Sequence, residues 1–173
     1  MNLIAALRAV ASTTTLYHGS DKHKEPELKV NDGGVFGGVF AHAVESEASP
    51  LGPGDGDSYE VTLKDSEILT QYEMNYHLDY DKIAALLKNE WPDANQELLY
   101  EAVVEEASMF TSEYDELAEK LPGDRGEASW EAQRLRGVIA KAFGYKAVEM
   151  DDEHGTSHLI LPPTVMTRVE EEE

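Results

Sequence analysis

Four carboxylates and an imidazole crowd one short stretch near the end of this chain: Glu149, Asp151, Asp152, Glu153 and His154, followed by Gly155 and Thr156. Far upstream, Leu16-Tyr17-His18-Gly19-Ser20 places a histidine beside bare backbone, and Gly33-Gly34-Val35-Phe36-Gly37-Gly38-Val39-Phe40 mixes glycine with aromatic rings. A fixed carboxylate stabilises the oxocarbenium-like charge that develops on a sugar ring as its glycosidic bond breaks. A polar side chain suits ribose hydroxyls, a backbone amide and carbonyl suit a carboxamide, and an aromatic face suits a flat heterocycle. Together these residue types point to a pocket for NAD, with cleavage of the bond between nicotinamide and ribose as the reaction.

Each member also has a plainer reading. A histidine that ends a strand is commonly a satisfied structural group, a glycine run can be turn chemistry, and an acidic hairpin can simply be solvated. It is their order along the chain, histidine-glycine-serine, then glycine-aromatic loop, then helix, then carboxylate turn, that singles them out. Neighbouring residues in a turn point in different directions, so only one of Asp151, Asp152 and Glu153 need face a pocket. Like-charge crowding would raise the pKa of one of them.

The elements that must position these groups follow from periodicity. Thr15 to His18 reads as a first strand, and Tyr59, Val61 and Leu63 alternate with Glu60, Thr62 and Lys64 as in a half-buried strand. Between them, Ser49 to Asp57 has the proline, glycine and aspartate density of an exposed connection. From Asp79 the period turns helical. The faces are Tyr80, Ile83, Ala84 and Leu87, then Leu99, Ala102, Val103, Ala107 and Phe110, then Tyr114, Leu117, Ala118 and Leu121. Ser112 with Asp115 offers a capped start for the third of these helices.

A last helix is bounded by Asp124 as N-cap, with Glu127 three residues on, and by Gly144 as a left-handed stop; its stripe is Leu135, Val138, Ile139, Ala142 and Phe143. Arg134 and Arg136 on this helix could pair with the acids or meet a pyrophosphate, although surface pairing is the commoner fate of helix arginines. Tyr145 to Met150 and Ser157 to Leu161 then read as two strands joined by the acidic turn, with Pro162-Pro163 ending the second.

The bulk properties narrow the function. At 173 residues the chain is long enough for one core. A net charge of −21 argues against direct nucleic-acid binding and toward a basic partner surface, a salt-adapted host or simple solubility. The absence of cysteine excludes thiol chemistry and thiolate metal sites and fits a reducing, cytoplasmic setting. Met1 to Ser12 is too short to span a bilayer and lacks a basic leading region, so no membrane association is expected; it reads as a docking helix or ordered extension. Glu170 to Glu173 reads as a solvated tail.

At this point the residues carry a family resemblance. Leu16-Tyr17-His18-Gly19-Ser20 resembles the first motif of the ADP-ribosyltransferase superfamily, whose histidine contacts the NAD ribose. Gly34 to Phe40, Asn75-Tyr76, Trp130 to Val138, and Gly144-Tyr145 with Val148 to Thr156 are similar to the phage-borne anti-CRISPR ADP-ribosyltransferases that inactivate type I-F CRISPR surveillance complexes. The resemblance spans residues 15 to about 166 and is tightest from Trp130 to Thr156.

The resemblance implies an α+β fold with an ADP-ribosyltransferase-like split antiparallel β core, surrounding helices, and an NAD cleft between the Gly33 to Phe40 loop and the 151 to 156 turn. Residues 15–166 would form the domain, with 1–14 as an extension and 167–173 as an acidic tail. It implies that His18, Gly19 and Ser20, with Phe36, Gly37 and Phe40, hold NAD, and that Asp152 is the acid needed for transfer, with Glu153 in reserve. The broader superfamily places its acid at the start of a later strand, whereas Ser157 and His158 are expected to begin that strand here. The implied partner is the PAM-recognising subunit of the surveillance complex.

Three rivals remain on the sequence. A metal hydrolase would use Asp151, Asp152, Glu153, His154, His18 and His23, but their spacing matches no zinc signature and no metal is expected. A non-enzymatic acidic protein would block a basic DNA-binding groove without needing NAD. A transferase toxin or host-takeover enzyme would keep the pocket and change the target.

Overall fold

The computed structural model describes residues 12–20, 25–44, 57–152 and 155–170. The expected extension over Met1 to Ser12 and the loop from Ser49 to Asp57 lie almost wholly outside the described residues, as do Glu153, His154 and the last three glutamates.

Among the described residues, eight strands form two four-stranded sheets. The first has the order β1 (Thr13–Ser20), β4 (Asp57–Lys64), β8 (Val165–Arg168), β2 (Glu27–Lys29), antiparallel throughout. The second has the order β3 (Val39–Ala41), β7 (Gly155–Ile160), β6 (Ala147–Asp152), β5 (Ile68–Leu69). Its pairs are antiparallel except β5 with β6, which run parallel, so the split core is mixed rather than purely antiparallel. One isolated bridge, Tyr17 with His42, ties β1 to the end of β3 and joins the sheets.

Leu16, Tyr59 and Leu63 from the first sheet meet Ala41, Ile68, Ala147 and Ile160 from the second in an apolar layer between them. The opposite face of the second sheet presents Val148, Met150, Leu159 and Leu161 to the helices. That sheet is therefore buried on both faces, which is why Ala147-Val148 and Leu159-Ile160-Leu161 read as continuous apolar runs.

Helices α1 (Gln71–Tyr76), α2 (Tyr80–Glu90), α3 (Gln96–Val104), α4 (Asp115–Ala118) and α5 (Arg125–Phe143) supply the other wall. The expected signals hold best at α5: the Asp124 side chain accepts from the Gly126 and Glu127 amides, Glu127 returns to the Asp124 amide, and Gly144 ends the helix at φ 90°. At Gly137 a Cβ would come within 2.9 Å of Leu159 Cδ2, so the absence of a side chain sets how closely α5 sits on the sheet.

Four expectations need correction. The third helix of the central stretch shrinks to a 3-10 turn at Ser112–Tyr114 followed by the single turn of α4, although Tyr114, Leu117, Ala118 and Leu121 are all buried as expected. Helix α3 stops at Val104, so Phe110 falls outside it and is 63% exposed, while Tyr80 at the start of α2 is 61% exposed. On α5, Ala128, Ala132, Leu135, Ile139 and Ala140 are buried rather than Ala142, and Arg136 is buried among them. Finally, Asp151 and Asp152 belong to β6, where they pair with Thr156 and Gly155, and β7 starts at Gly155 rather than Ser157.

Candidate active site

The point where the sheets part is the feature on which the site is built. Tyr17 and His42 exchange both backbone hydrogen bonds, at 2.8 and 2.9 Å. In an antiparallel ladder such exchanging pairs recur every second residue, so the next would be Gly19 with Phe40. That pair is not bridged: β1 and β3 separate, and the Phe40 carbonyl is taken by the His18 ring, with Nδ1 2.6 Å from the oxygen. The same alternation turns the Gly19 amide and carbonyl away from β4 and into the opening. The Ser58 carbonyl, opposite Gly19, accepts from the Val169 amide at 2.8 Å.

His18 is chemically defined by this contact. A carbonyl only accepts, so Nδ1 must carry the proton. Burial lowers the His18 pKa, the Phe40 carbonyl opposes that shift, and His42 adds to it. A neutral ring with Nδ1 protonated leaves Nε2 as an acceptor, the form that receives a hydrogen bond from a hydroxyl. His158 is similarly held low by burial, with Glu149 opposing and His42 reinforcing.

Phe40 also faces the other way, into a cavity of about 580 Å³ on the helix side of the second sheet. Trp130 and Gln133 of α5, Phe110 from the loop after α3, and Asp151 at the end of β6 share its lining. Phe36 packs edge-on against Phe40, centroids 4.8 Å apart, and against Trp130 at 6.2 Å, so three aromatic rings line up beside the opening. Gly37 stands at φ 67°, a conformation that favours glycine. A Cβ on Gly38 would lie 2.3 Å from the Ile160 carbonyl, which lets the loop lie flat on β7.

The structure brings the His18 ring to the Phe40 carbonyl and packs Phe36 on the Phe40 ring, whereas of the expected NAD-binding residues Phe40 alone lines the cavity that Asp151 shares. Ser20 ends β1 one residue beyond Gly19, and Asp152 ends β6 opposite Gly155, next in chain to Asp151. Glu153 lies outside the described residues.

Sequence reasoning missed the support behind the carboxylates. Arg136, 1% exposed, donates to the Val103, Val104 and Glu149 carbonyls and to the Gln71 side chain, and sits 3.4 Å from Glu106 Oε1. Glu106 in turn accepts from the Asp151 amide at 3.2 Å. The Glu149 carboxylate accepts from the Gln71 amide at the start of α1. Surface pairing was the expected fate of both helix arginines; Arg134 follows it, bound to Glu131 and Glu90, whereas Arg136 does not. The one available signal was position, since Arg136 directly follows Leu135 within the buried stripe.

Two four-stranded sheets joined by a bridge at Tyr17 and His42, with helices covering the outer face of the second, define an ADP-ribosyltransferase-like α+β fold. Residues 14–168 match the family described as Anti-CRISPR Type I-F ADP-ribosyltransferase AcrIF11, and the chain belongs to that family. A solved structure described as "Crystal structure of an anti-CRISPR protein" is 30% identical and superposes with a TM-score of 0.65 over 91% of this chain and 96% of that one. No curated protein gives a match. The chain is accordingly an NAD-dependent ADP-ribosyltransferase that acts as an anti-CRISPR on a type I-F surveillance complex.

Proposed function

We propose that NAD enters where β1 and β3 part, with its carboxamide on the Gly19 amide and carbonyl and a ribose hydroxyl donating to Nε2 of His18. Ser20 and Gly37 line the entrance, and Phe36 and Phe40 flank the nicotinamide ring. The observation that carries this reading is the missing Gly19–Phe40 pair, which leaves one donor and one acceptor side by side at the spacing a primary amide complements.

Asp152 is the acid that stabilises the developing ribose cation, and Glu153 is its reserve. As the bond from nicotinamide nitrogen to ribose C1′ breaks, the leaving group takes the bonding pair as neutral nicotinamide, and a target side chain attacks C1′ and loses its proton. The target is the PAM-recognising subunit. An attached ADP-ribose adds bulk and a pyrophosphate where that subunit must meet DNA phosphate, which opposes binding electrostatically. The catalytic unit is residues 15–166, with β1 and β8 each reaching two residues into the flanking segments 1–14 and 167–173.

The setting is the cytoplasm of the host cell, where the target and NAD are both present. Among the described residues no helix is long and apolar enough to cross a membrane. Three variants test the assignment: Asp152→Ala should abolish transfer with an unchanged far-ultraviolet spectrum, Glu153→Ala should retain it, and His18→Ala should weaken NAD binding by calorimetry. Transfer by Asp152→Ala at the normal rate, or an unchanged NAD affinity for His18→Ala, contradicts the corresponding role.

A further inference from the structure

Glu106 follows the end of α3 by two residues and has φ 55°, the one positive value outside glycine among the described residues. A β-carbon makes that region unfavourable, and such backbone strain is retained where the surroundings over-determine it. Glu106 sits in the turn that closes α3, where the Ala107 amide reaches back to the Glu101 carbonyl, and two side-chain contacts hold it further. Its Oε1 accepts from the Asp151 amide, and the same oxygen lies 3.4 Å from Nε of the buried Arg136. Arg136 is itself fixed by the Val103, Val104 and Glu149 carbonyls, so a rigid chain runs from the end of α3 through α5 to the last residues of β6.

We infer that Glu106 is a positioning residue for the transferase reaction: by holding the Asp151 amide against the Arg136 anchor, it sets the direction in which β6 delivers the acid that follows. The inference rests on the assignment of Asp152 as that acid. Glu106 also lines the cavity shared by Asp151, Trp130 and Phe40, so the brace borders the pocket in which Asp151 stands. Its carboxyl is raised by burial, with Arg136 and the Asp151 amide opposing and the Asp151 and Glu149 charges reinforcing. A paired carboxylate on a strained backbone next to the catalytic hairpin costs the fold something, and orienting β6 is the return.

The test uses the full chain with its type I-F target, measuring kcat and the KM for NAD alongside the melting temperature. Glu106→Gly removes the side chain and accepts the backbone angle, so its melting temperature reads the loss of the carboxylate beside the buried Arg136 without added backbone strain. Its kcat should fall on the order of tenfold to a hundredfold, the scale of a misplaced reacting group, with KM for NAD unchanged. Glu106→Gln keeps an oxygen for the Asp151 amide and should restore kcat to within about threefold, because its role is geometric.

A normal kcat in Glu106→Gly overturns the inference. Loss in Glu106→Gln as deep as in Glu106→Gly also overturns it, and assigns the carboxylate to the chemistry itself. Asp152→Ala, measured in parallel, separates the levels: normal turnover there removes the acid assignment and the inference with it, whereas an inactive Asp152→Ala beside a fully active Glu106→Gly removes the inference alone.

Discussion

Glycine, histidine and arginine at single positions decide how this site is held. Gly38 lies against backbone: a Cβ there would meet the Ile160 carbonyl at 2.3 Å, and neither chain can yield without moving the aromatic loop. Gly38→Ala should therefore cost about 1–3 kcal/mol in chemical denaturation and weaken NAD binding. Gly137→Ala meets the side-chain tips of Leu159 and Leu161 rather than backbone and should cost less; the reverse order in urea titrations would contradict this packing. His18 and His158 respond to pH. Both have pKa values below the ordinary 6.5 in the fold, chiefly through burial. Below about pH 6.5 the unfolded chain takes up protons that the folded one refuses, so stability falls on acidification and levels off below the depressed folded values. Melting curves from pH 7.5 to 5 should show this fall, and His158→Asn should reduce it; an unchanged slope would reject the assignment. His18 was singled out by its type and its place at a strand end, and the structure gives its ring a partner in the Phe40 carbonyl. Arg136 and Glu106 were not legible in this way, because burial and a positive φ leave no mark on composition.

Whole elements were legible where local signals and tertiary packing agree. Helix α5 carries its own start and stop, and Asp124→Ala should cost about 1 kcal/mol of stability by releasing the first-turn amides. An unaltered denaturation midpoint would count against that cap. Strands of the first sheet showed their alternation because Tyr59 and Leu63 face the inter-sheet layer while Glu60, Thr62 and Lys64 face outward. The second sheet hid its faces because both are covered. The end of α3 was over-extended for a related reason: Ala107 and Phe110 keep the helical spacing after the chain has turned at Glu106. Tyr114 then docks back on α3 through Glu101, with its hydroxyl pKa pushed up to about 12 by burial and that carboxylate. The α1 helix gave no periodic signal, as six residues are too few for one, although Thr70 with Glu73 three residues on is a capping-box spacing that the sequence does carry.

At the scale of the molecule, the charge of −21 bears on encounter rather than on bond breaking. A field of that sign draws the enzyme toward a face built to bind DNA, and salt screens it with a Debye length of about 10 Å at 0.1 M. The rate of target modification at low protein concentration should therefore fall as salt rises from 50 to 300 mM, more steeply than NAD affinity measured in the absence of target. Parallel salt dependences would remove the steering role. NAD-dependent transfer, not masking by charge, is what inactivates the complex. The most direct test is intact mass spectrometry of every subunit after incubation with this protein, with and without NAD. One added ADP-ribose on the PAM-recognising subunit, seen only with NAD and absent with Asp152→Ala, is the predicted result; tight inhibition with no mass change on any subunit would contradict it.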